Sequence, residues 1–186
     1  MPLKLSSTVA IGPTPITTPM SGSLTISYYP QLETNWCWSA CAQMLAGFCT
    51  VFPRRQCDLA DNALGLYGCC TTPRPPACNK PLSGTQITAL LSSLGITSIY
   101  SPASTRFTTL QSELVAGRPV QTSIAWTTGG GHVILIAGAH LIGTGLGATN
   151  LLHVLDPHYG EGTVLYSYLL SGYGIGTWRS SWTGIR

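Results

Sequence analysis

Apolar residues recur at helical spacing in the first half of the chain and as short, nearly continuous runs in the second. Ile87, Leu90, Leu91 and Leu94 repeat every three or four positions until Gly95, and Ser83 with Gln86 makes a capping box ahead of them, which predicts a helix there. A second helix is predicted over 36–45, with Asn35 as its N-cap and Gly47 as its stop. A third is predicted over 56–66, with Asp58 and Asp61 early, where the helix dipole favours them, and a shorter one over 108–116 before Gly117. From Arg118 onward the pattern turns to β. Runs over 120–126, 132–139, 151–155, 163–169 and 176–182 are rich in Val, Ile, Leu and Tyr and are separated by Gly-rich turns, and a short β-like run covers 24–29. Helices followed by strands predict an α+β fold. No internal repeat is visible.

Two stretches carry no periodicity. Residues 1–22 are rich in Thr, Pro and Ser and read as an extended leader, so the chain divides into a leader over 1–27 and one domain over 28–186. Cys69, Cys70 and Cys78 surround Pro73, Pro75 and Pro76 in a loop that cannot be helical and needs covalent staples to hold its shape.

The totals narrow the function classes. A chain of 186 residues with 44% hydrophobic content can fill one core, while 8% charged residues leave a polar, mostly uncharged surface. Nine basic residues are scattered and the net charge is +3, so no basic stripe offers itself to nucleic acid. The longest apolar stretch, 132–143, is shorter than the roughly 20 residues of a membrane-spanning helix and contains His140, so no membrane partner is expected. Near the N-terminus Pro13, Pro15 and Pro19 interrupt the Val9, Ala10, Ile11 region, which does not read as a standard signal peptide.

Seven cysteines is an odd number, and in an oxidising place six can pair and leave one free, as a secreted thiol enzyme requires. A thiol is a nucleophile only as thiolate, which a helix N-terminus or a protonated histidine favours. Cys37 stands in the first turn of a predicted helix. Taken singly, any cysteine so placed could equally be buried or paired. His132 stands where Gly129, Gly130 and Gly131 give way to a buried strand, so the strand end fixes an imidazole while the glycines let a substrate backbone approach. A base histidine needs an acceptor on its second nitrogen. The acidic residues after His132 are Asp156 and Glu161; Asp156 ends a strand and precedes Pro157 in a rigid turn, whereas Asn150, a weaker alternative, begins one. His158, two residues beyond Asp156, competes with His132 for the base.

Gln31 lies six residues before Cys37, which is followed by Trp38, Ser39 and Ala40, and this segment resembles the active site of the papain family. The order Gln31, Cys37, His132, Asp156 follows the papain-like order, with Asp where papain has Asn. A narrower resemblance rests on the cysteine-rich loop, the segment from Ala116 to Val120, the triple glycine and the Asp156-Pro157 turn: it is to small bacterial cysteine proteases that include plant-pathogen effectors delivered into host cells. Peptidase domains of bacteriocin exporters share the residue order but not the cysteine-rich loop.

The resemblance implies a papain-like fold, a helical lobe carrying Cys37 packed on a twisted antiparallel sheet carrying His132 and Asp156. It implies that Cys37 attacks a peptide carbonyl, that His132 takes the thiol proton, and that Gln31 and the Cys37 N–H form the oxyanion hole. No metal or organic cofactor is needed, the substrate is a protein or peptide, and the chain acts as a monomer that is secreted or delivered into a target cell. With Cys37 free, Cys41, Cys49, Cys57, Cys69, Cys70 and Cys78 become candidates for three disulfides in any of the fifteen pairings six thiols allow. Zinc is a lesser rival, because no Cys-x-x-Cys pair occurs. Trp38, Trp126, Trp178 and Trp182 are numerous for this length; most suit core or rim packing, and Trp178 is expected at the cleft, together with Trp38, Gly130 and Gly131. The same constellation serves acyl transfer or glutamine deamidation, and a disulfide-stapled binding module with an inert triad is a reading of a different class.

Overall fold

The structure is a computed structural model that describes residues 22–50, 52, 54–143 and 147–186. The expected leader up to residue 21 lies outside the described residues. Three helices come first, α1 (Cys37–Cys49), α2 (Gln56–Leu64) and α3 (Gly84–Ser93), with a 3-10 turn at Pro76–Cys78. Then follow β1 (Ile99–Ser101), α4 (Phe107–Val115), β2 (Val120–Trp126), β3 (Gly131–Ile142), β4 (Thr149–Asp156), β5 (Gly160–Leu165), α5 (Tyr166–Leu170) and β6 (Gly176–Thr183). The strands form one six-stranded antiparallel sheet in the order β1-β6-β2-β3-β4-β5. N-terminal helices packed on an antiparallel sheet is the α+β architecture the sequence predicts.

The unbroken apolar run of β3 follows from its place in the middle of the sheet. Val133, Leu135 and Ala137 pack with Trp38 and Leu45 of α1 and Leu91 of α3, while Ile134, Ile136 and Ala139 pack with Leu110 and Leu114 of α4 on the other face. A strand covered on both faces loses the alternation of a half-exposed one. At α3 the capping box forms: Ser83 Oγ accepts the Gln86 N–H, and Gln86 Oε1 accepts the Ser83 N–H at 2.9 Å.

Four expectations need correction. Gly47 does not stop α1, which runs on to Cys49 and ends at Thr50, whose hydroxyl donates to the Ala46 carbonyl at 2.7 Å. Burial of Leu45 and Ala46, with Phe48 packed behind them, outweighs the roughly 1 kcal/mol a helical glycine costs. Asn35 is not the cap either. Its amide donates to the Asn79 carbonyl and its N–H to Asn79 Oδ1, and Trp36 opens the helix without a side-chain cap. The run over 24–29 touches the sheet only at its start, where Ser23 bridges Gly138 through the Leu24 N–H on the Ala137 carbonyl and the Ala139 N–H on the Gly22 carbonyl, because β3 already has a strand on each side and is open only at its register shift at Ile136/Gly138. The run over 163–169 turns from strand into α5 at Tyr166, which buries Leu169 in the α4-side cluster.

The cysteines form two disulfides rather than three, Cys57–Cys70 and Cys69–Cys78, and Cys37, Cys41 and Cys49 are free thiols. Cys41 and Cys49 both lie on α1, eight residues and so about 12 Å apart along its axis, whereas a disulfide holds Cα atoms roughly 4.4–6.8 Å apart. Cys57–Cys70 staples the proline-rich loop to α2, and Cys69–Cys78 closes that loop on itself. From there Cys78 accepts the Trp36 indole N–H at 2.7 Å and Lys80 accepts that of Trp38 at 3.0 Å, through their carbonyls. Arg74 pairs with Glu33 and lies 4.5 Å over the Trp36 ring.

Candidate active site

Cys37 is the first residue of α1, His132 the second of β3 and Asp156 the last of β4. The β3–β4 ladder pairs Leu135 with Leu155, so Asp156 falls diagonally across from His132, within side-chain reach. His132 Nε2 stands 2.7 Å from Asp156 Oδ1, and Cys37 shares the lining of two cavities with the ring. The three residues that the motif order singles out are therefore brought together from three elements. Asn150 pairs with Leu141 at the far end of β4, about 20 Å along the strand from Asp156, and Glu161 pairs with His153.

All three groups are buried, and burial sharpens their electrostatics. For His132 desolvation alone would lower the pKa, but its hydrogen bond to Asp156 and the neighbouring Cys37 outweigh it and raise it to about 10. Burial would raise the Asp156 carboxyl; the His132 bond and the N–H groups of His158 and Tyr159 hold it below the ordinary value instead. Those N–H groups reach Asp156 Oδ1 at 2.9 and 3.0 Å, and the Tyr173 hydroxyl donates to Oδ2 at 3.1 Å. Cys41, one turn beyond Cys37, is fully buried and its thiol pKa is pushed well up by desolvation and by its neighbour Cys37.

Two cavities, of about 210 and 170 Å³, meet at Cys37, Gly131 and His132. The larger is walled by Trp38, Leu82, Tyr100 and Trp182, with Gly130, Ser123 and Arg179 also on its lining. The smaller is lined by Gln31, Asn35, Trp126, His158 and Tyr159. A Cβ at Gly131 would meet the Ile124 carbonyl oxygen at 2.8 Å, so only glycine fits immediately before the histidine. Trp38 is buried and only edges the cleft. Trp178 lies instead in the α4-side core, its indole N–H bonded to the Ser180 carbonyl and Ser181 Oγ, and lines neither cavity. The tryptophan beside the chemistry is Trp126, stacked on the His132 ring with centroids 5.9 Å apart. Its place at the end of β2, across the glycine loop from His132, is a signal the sequence carries.

Gln31 enters the cleft on a segment held from two sides. Its N–H donates to the Pro157 carbonyl at 2.9 Å, and buried Gln56 spans Gln31 by accepting the Leu32 N–H and donating to the Pro30 carbonyl. The Gln31 amide donates to the Glu33 and Thr34 carbonyls at 2.8 and 3.0 Å, and its Oε1 is buried without a partner. Neither Gln56 nor Tyr173 was foreseen. Both act across long sequence separations, on which spacing is silent. Among the described residues, the groups spaced to hold a metal are Cys57, Asp58, Cys70 and Asp61, Cys69, Cys78, whose sulfurs are spent in the two disulfides.

The structure is similar to three solved ones at low identity, which bears on the fold alone. The peptidase domain of Streptococcus ComA, a bifunctional ABC transporter in a quorum-sensing pathway, matches with a TM-score of 0.60 and 12% identity over 85% of this chain and 96% of that one. A double-glycine-motif protease from an AMS/PCAT transporter, solved with a leader peptide, matches with a TM-score of 0.52 and 11% identity over 87% and 94%. UfSP from C. elegans gives a TM-score of 0.51 and 14% identity over 89% of this chain and 34% of that one. No curated protein sequence matches. Residues 20–168 match the family described as the papain-like cysteine protease AvrRpt2, and with most of its length inside that match the chain belongs to this family of cysteine proteases.

Proposed function

We propose that this protease is an endopeptidase in which Cys37 is the nucleophile, His132 its base and Asp156 the orienting carboxylate. The observation that carries the reading is the imidazole held 2.7 Å from the Asp156 carboxylate, with Cys37 beside it on the lining of the same two cavities. His132 takes the thiol proton, and its bond to Asp156 favours the imidazolium that forms. The Cys37 sulfur attacks a substrate carbonyl, the imidazolium gives its proton to the leaving amine, and water then releases the acyl group with His132 again as base. Cys37 N–H, at the uncapped start of α1, and the Gln31 amide stabilise the oxyanion, the latter after exchanging one of its two loop carbonyls for the substrate.

The substrate is a protein or peptide. Delivery into a target cell, as for an effector, and a leader over 1–27 ahead of a domain over 28–186 belong to the same proposal. Alkylation without reductant tests the site directly. Cys37 should be carboxymethylated faster than Cys49 and Cys41, His132→Ala should erase that preference, and Cys37→Ala should abolish peptide cleavage. Preferential labelling of Cys49, or cleavage that survives Cys37→Ala, would sink the reading.

A further inference from the structure

Asp156 Oδ2 has a partner that the triad does not explain. The Tyr173 hydroxyl reaches it at 3.1 Å from the turn between α5 and β6, and both residues are buried. Tyr173 is the only non-glycine among the described residues with a positive φ, +59°, a backbone conformation that aromatic side chains rarely adopt. Strain of this kind persists where the surroundings enforce it and clusters at functional sites. The Tyr173 N–H is tied to the Tyr168 carbonyl at 3.0 Å, and its ring is wedged between those of Tyr159 and Tyr168, with centroids 6.2 and 5.6 Å away.

A carboxylate with three donors on one oxygen and none on the other could tilt about its Cβ–Cγ bond and turn its plane away from the imidazole. The hydroxyl removes that freedom. We propose that Tyr173 is a positioning residue that holds the plane of the Asp156 carboxylate fixed, one oxygen on His132 and the other on the Tyr173 hydroxyl, and through it sets the orientation of the imidazole toward Cys37. The inference rests on the cysteine-protease reading of this triad. Other titratable groups face Asp156: Tyr28, whose hydroxyl donates to its backbone carbonyl, and Cys41 from α1, besides His132, His158 and Tyr159. Among the described residues none but Tyr173 donates to Oδ2.

The test is the pH profile of Cys37 carboxymethylation in the full chain, which needs no substrate. Tyr173→Phe keeps the ring and deletes the hydroxyl. Losing a hydrogen bond to a buried carboxylate should slow labelling at neutral pH roughly tenfold and move its acid limb up by about one pH unit, because the carboxylate then protonates more readily. Tyr168→Phe, which alters a ring packed on Tyr173 but no bond to Asp156, should leave rate and profile unchanged. In an Asp156→Ala background Tyr173→Phe should have no further effect. An unchanged acid limb in Tyr173→Phe, or equal slowing with and without Asp156, overturns the proposal and makes Tyr173 a packing residue. If the wild-type protein shows no preference for Cys37, the protease reading falls first and this inference with it.

Discussion

The sheet side and the helical side of the cleft are built by different means. His132 and Asp156 sit on neighbouring strands whose backbone ladder sets their separation, and the carboxylate is then closed in by two N–H groups of its own turn. Cys37 starts a helix that no side chain caps, and the segment leading to it is held by side-chain clamps: Gln56 around Gln31, the Arg74–Glu33 pair under Trp36, and two disulfides behind the loop that accepts both indoles. A backbone ladder tolerates loss of most single side chains. A clamp does not, so the same cleft should fail locally when its sheet side is altered and more broadly when its helical side is.

The largest separation of these outcomes is expected at Asp156. Asp156→Ala should lower kcat about a thousandfold, because the imidazole loses its acceptor and its orientation, yet leave the β3–β4 pairing in place. Kinetics alongside hydrogen exchange of β3 and β4 amides checks both halves. Loss of exchange protection in those strands would mean the carboxylate also holds the sheet together.

On the helical side the strongest lever is covalent. The Cys57–Cys70 and Cys69–Cys78 bridges close short loops, with sequence separations of 13 and 9, and removing one by the double change Cys57→Ser and Cys70→Ser should cost about 2–3 kcal/mol. Because the loop they brace carries the acceptors for Trp36 and Trp38, activity should fall with stability. Urea denaturation monitored by tryptophan fluorescence, paired with Cys37 labelling, measures both. Stability reduced with labelling unaffected would show that the loop does not brace Cys37.

The contrast also explains what could be read from the sequence. Elements with a periodic apolar face were legible: the Ser83 capping box, the β2 bounds and the class of the fold all follow from local pattern. His132 and Asp156 were legible because each stands where an apolar strand meets a turn, and Cys37 because the Gln31 to Ala40 segment resembles a known one. What failed was decided by contacts distant in sequence. Asn35 was drawn off by Asn79, the 24–29 run found no free strand edge on β3, and Trp178 was taken into the α4-side core while Trp126 took the place over His132. The cysteine count fixed neither the number of bridges nor the partners, since two of the six candidates share one rigid helix. Tyr173 and Gln56 had no local signature at all.

The smallest expected effect isolates the helical side without touching its clamps. Gly47 lies inside α1 near its C-terminal end, is exposed, has no positive φ, and a Cβ added there would meet nothing within 4 Å. An alanine at such a site keeps the native conformation while restricting the unfolded chain, and gains roughly 0.5–1 kcal/mol. If α1 is stable only through its tertiary contacts, Gly47→Ala should raise the thermal midpoint by a few degrees and leave the rate of Cys37 labelling unchanged, since the substitution lies almost three turns from Cys37. A midpoint that does not move would place the first unfolding step elsewhere, in the sheet, and would reverse the ranking of the two sides argued above.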